Sequence, residues 1–172
     1  MATIKNQVII GVMGGGRADT RQTEMAYRLG HLIAAEGWVL LNGGRRAGIM
    51  DASARGAREN GGITVGILPD ADTRSISPHI QIPILTGMGS ARNYINALSS
   101  HVMVACHGGA GTISEIALAL KHDRPVIMMG MDVGGLFSAY QDSGQLKKAT
   151  TPEEAIVAIK SYLKTHPFKA ST

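Results

Sequence analysis

Apolar residues along the chain form short continuous runs, separated by longer stretches in which apolar positions recur every three or four residues. The runs at 7–13, 38–41, 63–68, 80–85, 101–105 and 125–129 have the length of strands buried on both faces. The stretches at 20–36, 48–59, 90–98, 112–121 and 151–165 have the composition and spacing of helices. In the first stretch Met25, Leu29, Leu32 and Ile33 share a face, and Gly37 closes the helix. In the fourth, Ile113, Ile116, Ala117 and Leu120 do the same. The last opens with Thr151 as N-cap, Pro152 at the first helical position and Glu154 three residues past the cap. Pro83 marks 80–85 as a candidate edge strand, because proline cannot donate to a ladder. Residues 69–79 read as a surface loop and 130–150 as irregular.

This alternation predicts a single doubly wound, Rossmann-like α/β domain over 1–172. It has a mainly parallel sheet of about six strands, helices on both faces and a flexible tail at 166–172. In such a fold the strand-to-helix loops gather at the carboxyl edge, where ligands bind. Three of those loops are rich in glycine: Gly14 to Gly16, Gly43 to Gly48, and Gly108 to Gly111.

Composition narrows the picture. Of the 172 residues 44% are hydrophobic and 17% charged, which fits a globular chain rather than a disordered one. The formal charge is a mild +4, with Arg17, Arg45, Arg46 and Arg92 near the glycine-rich loops. That arrangement suits a small anionic ligand, and the scarcity of aromatics argues against nucleic acid. One cysteine rules out an intrachain disulfide and fits a reducing compartment. No apolar run reaches the ~18 residues of a membrane span. A cytoplasmic location is expected, with no membrane partner.

The most informative stretch is Cys106-His107-Gly108-Gly109-Ala110-Gly111-Thr112-Ile113-Ser114-Glu115. A strand runs into glycines and then a helix, whose first turn leaves amide donors unsatisfied in a positive potential. Phosphate is the natural occupant. Thr112-x-x-Glu115 is also the pattern of a capping box. Cys106 reads as a small residue at a strand end and His107 as part of the loop; no metal site is expected. The first loop, Gly11-x-x-Gly14-Gly15-Gly16, lacks the dinucleotide spacing, and Asn42 stands where a ribose-binding acid belongs. An NAD-type oxidoreductase is disfavoured, and no Gly-Lys-Ser/Thr ending marks a P-loop.

The run from Gly108 to Glu115 resembles the Pro-Gly-Gly-x-Gly-Thr-x-x-Glu motif of the LOG-like Rossmann family, with His107 in place of the proline. The family's second motif, Met-His-Glu-Arg-Lys, places an arginine 23 residues before the glutamate, and Arg92 keeps that register. Around it, Gly89-Ser90-Ala91-Arg92-Asn93 replaces the rest. Gly43-Gly44 with Gly48-Ile49-Met50 is similar to a further family segment. This version looks most like the short branch that contains molybdenum-cofactor carrier proteins.

The resemblance implies a homodimeric core, with tetramers possible, that holds the molybdenum cofactor, a phosphorylated pterin. Molybdoenzymes or cofactor-synthesis proteins are then possible partners. The alternative it implies is a phosphoribohydrolase acting on AMP-like nucleoside 5′-monophosphates, with Arg92 and Glu115 catalytic. The candidate ligand contacts are Gly14, Gly15, Gly43, Gly44, Arg45, Ser90, Arg92, Asn93, Gly108, Gly109, Ala110, Gly111, Thr112 and Glu115.

Overall fold

A computed structural model describes residues 7–166. The elements run β1 (Ile9–Met13), α1 (Thr20–Ala35), β2 (Val39–Asn42), α2 (Gly48–Glu59), β3 (Thr64–Leu68) and β4 (Ile82–Leu85). They continue with α3 (Asn93–Ser99), β5 (Val102–Ala105), α4 (Ala110–Lys121), β6 (Val126–Met129), α5 (Ser138–Asp142), β7 (Leu146–Ala149) and α6 (Pro152–Thr165). The strands form one parallel sheet in the order β4-β3-β2-β1-β5-β6-β7.

Alternation along each strand divides the core in two. Ile10, Val12, Val102 and Val104 face α1, α2 and α6, where Leu29, Ile33, Ile49 and Ile159 pack on them. Met13, Met103 and Ala105 face the opposite layer with Ala97 of α3 and Ile116 and Leu120 of α4. Helices on both faces explain why the central strands are apolar throughout. The chain winds outward from β1 to β4, then returns to place β5 beside β1. The order therefore reverses between β1 and β5, and their carboxyl ends open a crevice there.

Two glycines set the distance between α1 and α2. A Cβ on Gly30 would lie 2.0 Å from the Ser53 carbonyl oxygen, and one on Gly56 would lie 2.0 Å from that of Tyr27. The contact is reciprocal and made of backbone, so neither helix has a side chain that can move aside.

Several details differ from the sequence pattern. The sheet has seven strands rather than six, because Leu146–Ala149 forms a strand within the stretch read as irregular. Leu146 and Ala149 are buried while Lys147 and Lys148 face solvent, so an edge strand of four residues carries little apolar signal. The helix expected over 90–98 starts as a 3-10 turn, Gly89–Arg92, before α3 begins. Helix α4 starts at Ala110, two residues early, and buries Thr112, Glu115, Ile116, Ala119 and Leu120 while Ala117 is exposed. β4 lies at the sheet edge, as Pro83 suggests. Gly37 closes α1 with φ of 72°, and Thr151 caps α6 through the Glu154 amide. The side chain of Glu154 turns instead to the Thr150 amide and hydroxyl. Apart from His166, the tail assigned to 166–172 lies outside the described residues.

Candidate functional site

At the crevice between β1 and β5 lies a cavity of about 260 Å³. All three glycine-rich loops reach it: Gly14, Gly15 and Gly16 after β1, Gly43 after β2, and Gly109 and Gly111 after β5. Val12, Met13, Met50, Arg92, Asn93, Thr112 and Glu115 complete the wall.

The first and third loops are stitched together. The Gly15 amide donates to the His107 carbonyl at 2.8 Å, and the Cys106 amide donates to that of Met13 at 2.7 Å. On the other side the Ile49 amide donates to the Gly15 carbonyl. The backbones pass so closely that a Cβ on Gly48 would lie 2.4 Å from the Gly15 oxygen, and φ there is 47°. A Cβ on Gly108 would strike the Thr112 hydroxyl at 2.1 Å. Gly109 and Gly111 are different, because a Cβ on either would meet nothing within 4 Å. Their faces are open toward the cavity.

Helix α4 begins here with Gly109 as N-cap and no side-chain cap. The amides of Ala110, Gly111 and Thr112 have no acceptor among the described residues. The Thr112 hydroxyl is likewise unbonded, and no acidic residue stands in the first turn. Three unbonded donors, a hydroxyl and the positive end of a 12-residue helix are an arrangement that can hold an anion. The capping-box reading of Thr112 and Glu115 fails, because Thr112 already lies inside the helix and the Glu115 side chain turns elsewhere.

Glu115 is 7% exposed. Its Oε1 accepts from Asn96 Nδ2 at 2.7 Å. Burial pushes its carboxyl above the usual range, against the Asn96 bond and the Arg92 charge that pull it down. Arg92 does not form an ion pair with it among the described residues. The Arg92 guanidinium donates from Nη1 to the Ile67 carbonyl at 2.7 Å and lies against Gly43, where a Cβ would meet Nη1 at 2.4 Å. Its Nε is buried without a partner among the described residues. Burial lowers the pKa of this guanidinium, opposed by Glu115. Arg92 therefore forms a cationic wall of the cavity, held from the β3 side.

The sign of the Glu115 shift gives a stability test. A carboxyl whose folded pKa is raised favours the fold most when protonated, below its unfolded value; that contribution is lost as pH rises through the folded value. Glu115→Gln retains an acceptor for Asn96 without a charge. Its melting temperature is expected to exceed that of the wild type near pH ~8, with the gap narrowing toward pH ~4, where an ordinary glutamate carboxyl becomes mostly protonated. A variant less stable than wild type near pH ~8 would show that the ionised carboxylate stabilises the fold.

The candidate contacts from the sequence separate into two groups. Gly14, Gly15, Gly43, Arg92, Asn93, Gly109, Gly111, Thr112 and Glu115 line the cavity. Gly108 lies beneath it, against Thr112 and Gly15. Ala110 is exposed and off the wall, and its amide is one of the unbonded donors at the start of α4. Gly44, with φ of 74°, is buried against Leu68 and donates its amide to Asn42 Oδ1. Ser90 is exposed in the 3-10 turn and off the wall. Arg45 is off the wall too, gripping both Asp70 oxygens at 3.1 Å.

Four contributors escaped the sequence reading. Val12, Met13 and Met50 look like ordinary core residues, and Asn96 acts only through Glu115. Cys106 is buried, which pushes its thiol up to about 12, so it packs rather than reacts. A second depression, about 560 Å³, lies between α1 and the loop after β6. Although larger, it carries two carboxylates, Asp19 and Asp132, and the Asp19 side chain already caps the α1 N-terminus.

Known structures share this architecture over nearly the whole chain. The molybdenum cofactor binding protein from the phototrophic bacterium Rippkaea orientalis is 47% identical with a TM-score of 0.86, covering 92% of this chain and 98% of that one. The molybdenum cofactor carrier protein from Chlamydomonas reinhardtii is 44% identical with a TM-score of 0.85, covering 92% and 99%. A cytokinin riboside 5′-monophosphate phosphoribohydrolase of Mycobacterium tuberculosis is more distant, 33% identical over 114 residues, covering 62% of this chain and 61% of the enzyme. The SLOG cluster4 family model matches residues 7–156, and the chain belongs to that LOG-like family.

Proposed function

We propose that this protein binds and carries the molybdenum cofactor, with the cofactor's phosphate on the α4 amides and its pterin against Gly43, Met50 and Arg92. The observation that carries this reading is the unbonded donor set at the start of α4, where Gly111 and Thr112 line a cavity whose other wall is the half-buried Arg92. The near full-length likeness to two cofactor-binding proteins supports the choice of ligand. Met13 and Met50 add an apolar surface for a flat ring without supplying a metal cluster.

A phosphoribohydrolase is the second reading, favoured by the Mycobacterium tuberculosis relative and by Glu115 beside the cradle. The cavity wall carries one carboxylate, whereas glycoside cleavage uses a pair. Asn93 and Ala91 stand where the resembling motif has lysine and glutamate, and Asn93 is bonded to Ser114 at 2.8 Å. This favours holding a ligand over cleaving one.

Native mass spectrometry of the purified protein, with a cofactor-protection assay, tests the carrier reading. A copurifying pterin phosphate and longer-lived cofactor activity are expected. Release of ribose 5-phosphate from AMP or a cytokinin monophosphate, abolished by Glu115→Ala, would establish the enzyme instead. We also propose a homo-oligomer, because Ile82, Ile84 and Leu85 of the edge strand β4, and Met88 just after it, are large apolar side chains left exposed. Among the described residues no helix is long and apolar enough to cross a membrane. A cytoplasmic site of action, and molybdoenzymes or cofactor-synthesis proteins as donors and acceptors, complete the proposal.

A further inference from the structure

A carboxyl group on the wall of an anion cavity is a contradiction that the geometry resolves. Glu115 follows Thr112 by three residues on α4, so the two side chains start about 5 Å apart. Its Oε1 is bonded to Asn96, while Oε2 has no partner among the described residues, and Glu115 shares the cavity wall with Gly111 and Thr112, whose amides are free. Arg92, from the 3-10 turn, is the one other charged side chain on the wall. Asn96 from α3, Met13 from β1, Gly43 after β2, Met50 from α2 and Thr112 from α4 itself do not titrate in this range. Arg92 is held by the Ile67 carbonyl rather than by Glu115. An ionised Glu115 would thus stand beside a bound dianion with no ion pair to neutralise it.

We propose that Glu115 holds a phosphorylated ligand as the neutral acid, donating its Oε2 proton in a hydrogen bond to an acceptor on that ligand. Loading then takes up a proton from solvent, and rising pH promotes release. The inference rests on the phosphate cradle of the proposed function and adds its regulation. Burial already biases the empty site toward the protonated form, and the charge of an arriving phosphate strengthens that bias. Specificity follows as well, because the acid can donate to a ligand oxygen or ring nitrogen that a carboxylate would repel. A carrier gains a release mechanism that needs no large movement of the fold.

Titration calorimetry with AMP as probe tests this in buffers of different ionisation enthalpy. Phosphate itself titrates near pH ~6, so the measurements run from about pH 7 to pH 9, where AMP remains a dianion. Sulfate, which does not titrate there, serves as a second probe. Net proton uptake is expected with both, and affinity should weaken by up to about tenfold per pH unit. In Glu115→Gln both the uptake and the slope should disappear. Saturable AMP binding by the wild type without proton uptake, or equal uptake by the variant, would overturn the proton assignment alone. If neither AMP nor sulfate binds, the phosphate cradle itself is wrong, and the inference falls with it.

Discussion

Replacing Gly111 with aspartate is expected to weaken AMP binding by about 100-fold, or ~2.7 kcal/mol, while leaving the fold at least as stable. Gly111 is the second helical residue of α4, lines the cavity, and has open space where a Cβ would go. The Cβ of an aspartate there meets nothing within 4 Å. It also places a negative charge in the first turn of a helix, which stabilises by about 0.3–1 kcal/mol. The same charge occupies the amides and repels a phosphate. Charge-assisted hydrogen bonds contribute about 1.5–3 kcal/mol each, so blocking even two accounts for the expected loss. Calorimetric affinity and the melting temperature are read on the same preparation. Affinity within about threefold of wild type, less than 1 kcal/mol, would place the phosphate elsewhere.

Gly30→Ala is expected to destabilise the fold strongly, although it adds a single methyl group. Alanine is the better helix former by about 1 kcal/mol, so propensity alone argues for a gain. Opposing it is a Cβ 2.0 Å from the Ser53 carbonyl, with the Ala57 amide 3.1 Å away. Over-packing commonly costs about 1–3 kcal/mol, and more where backbone is the obstacle, so the net expectation is a loss of about 2 kcal/mol or more. Gly56→Ala meets the Tyr27 carbonyl at the same distance and should behave alike. The two changes strain one interface, so their effects should not add in the double variant. Denaturant unfolding measures all three; a stabilised Gly30→Ala would show that α1 and α2 slide apart at little cost.

The sequence revealed those features that depend on local pattern. Apolar runs alternating with helical spacing give the parallel sheet, and its topology brings the three glycine-rich loops to one crevice, which forms between β1 and β5. Arg92 and Glu115, 23 residues apart in the chain, do share a cavity wall, although they do not pair. What escaped depends on distant partners. Arg45 looks like a free cation beside a glycine loop, but Asp70, 25 residues on, holds it with both oxygens. Met50 looks like core because cavity walls and cores use the same apolar residues. Asn96, in the middle of α3, gains its meaning only when packing places it 2.7 Å from Glu115. β7 was hidden because its two central residues are lysines facing water.

Titrating isotope-labelled protein with AMP while following every backbone amide by NMR bears most directly on the anion cradle. Saturable shifts, largest at the amides of Gly109, Ala110, Gly111 and Thr112 and absent in Gly111→Asp, are the expected result. Saturable shifts confined to the depression lined by Asp19, Met25, Met131 and Lys148, with residues 109–112 unmoved, would contradict it.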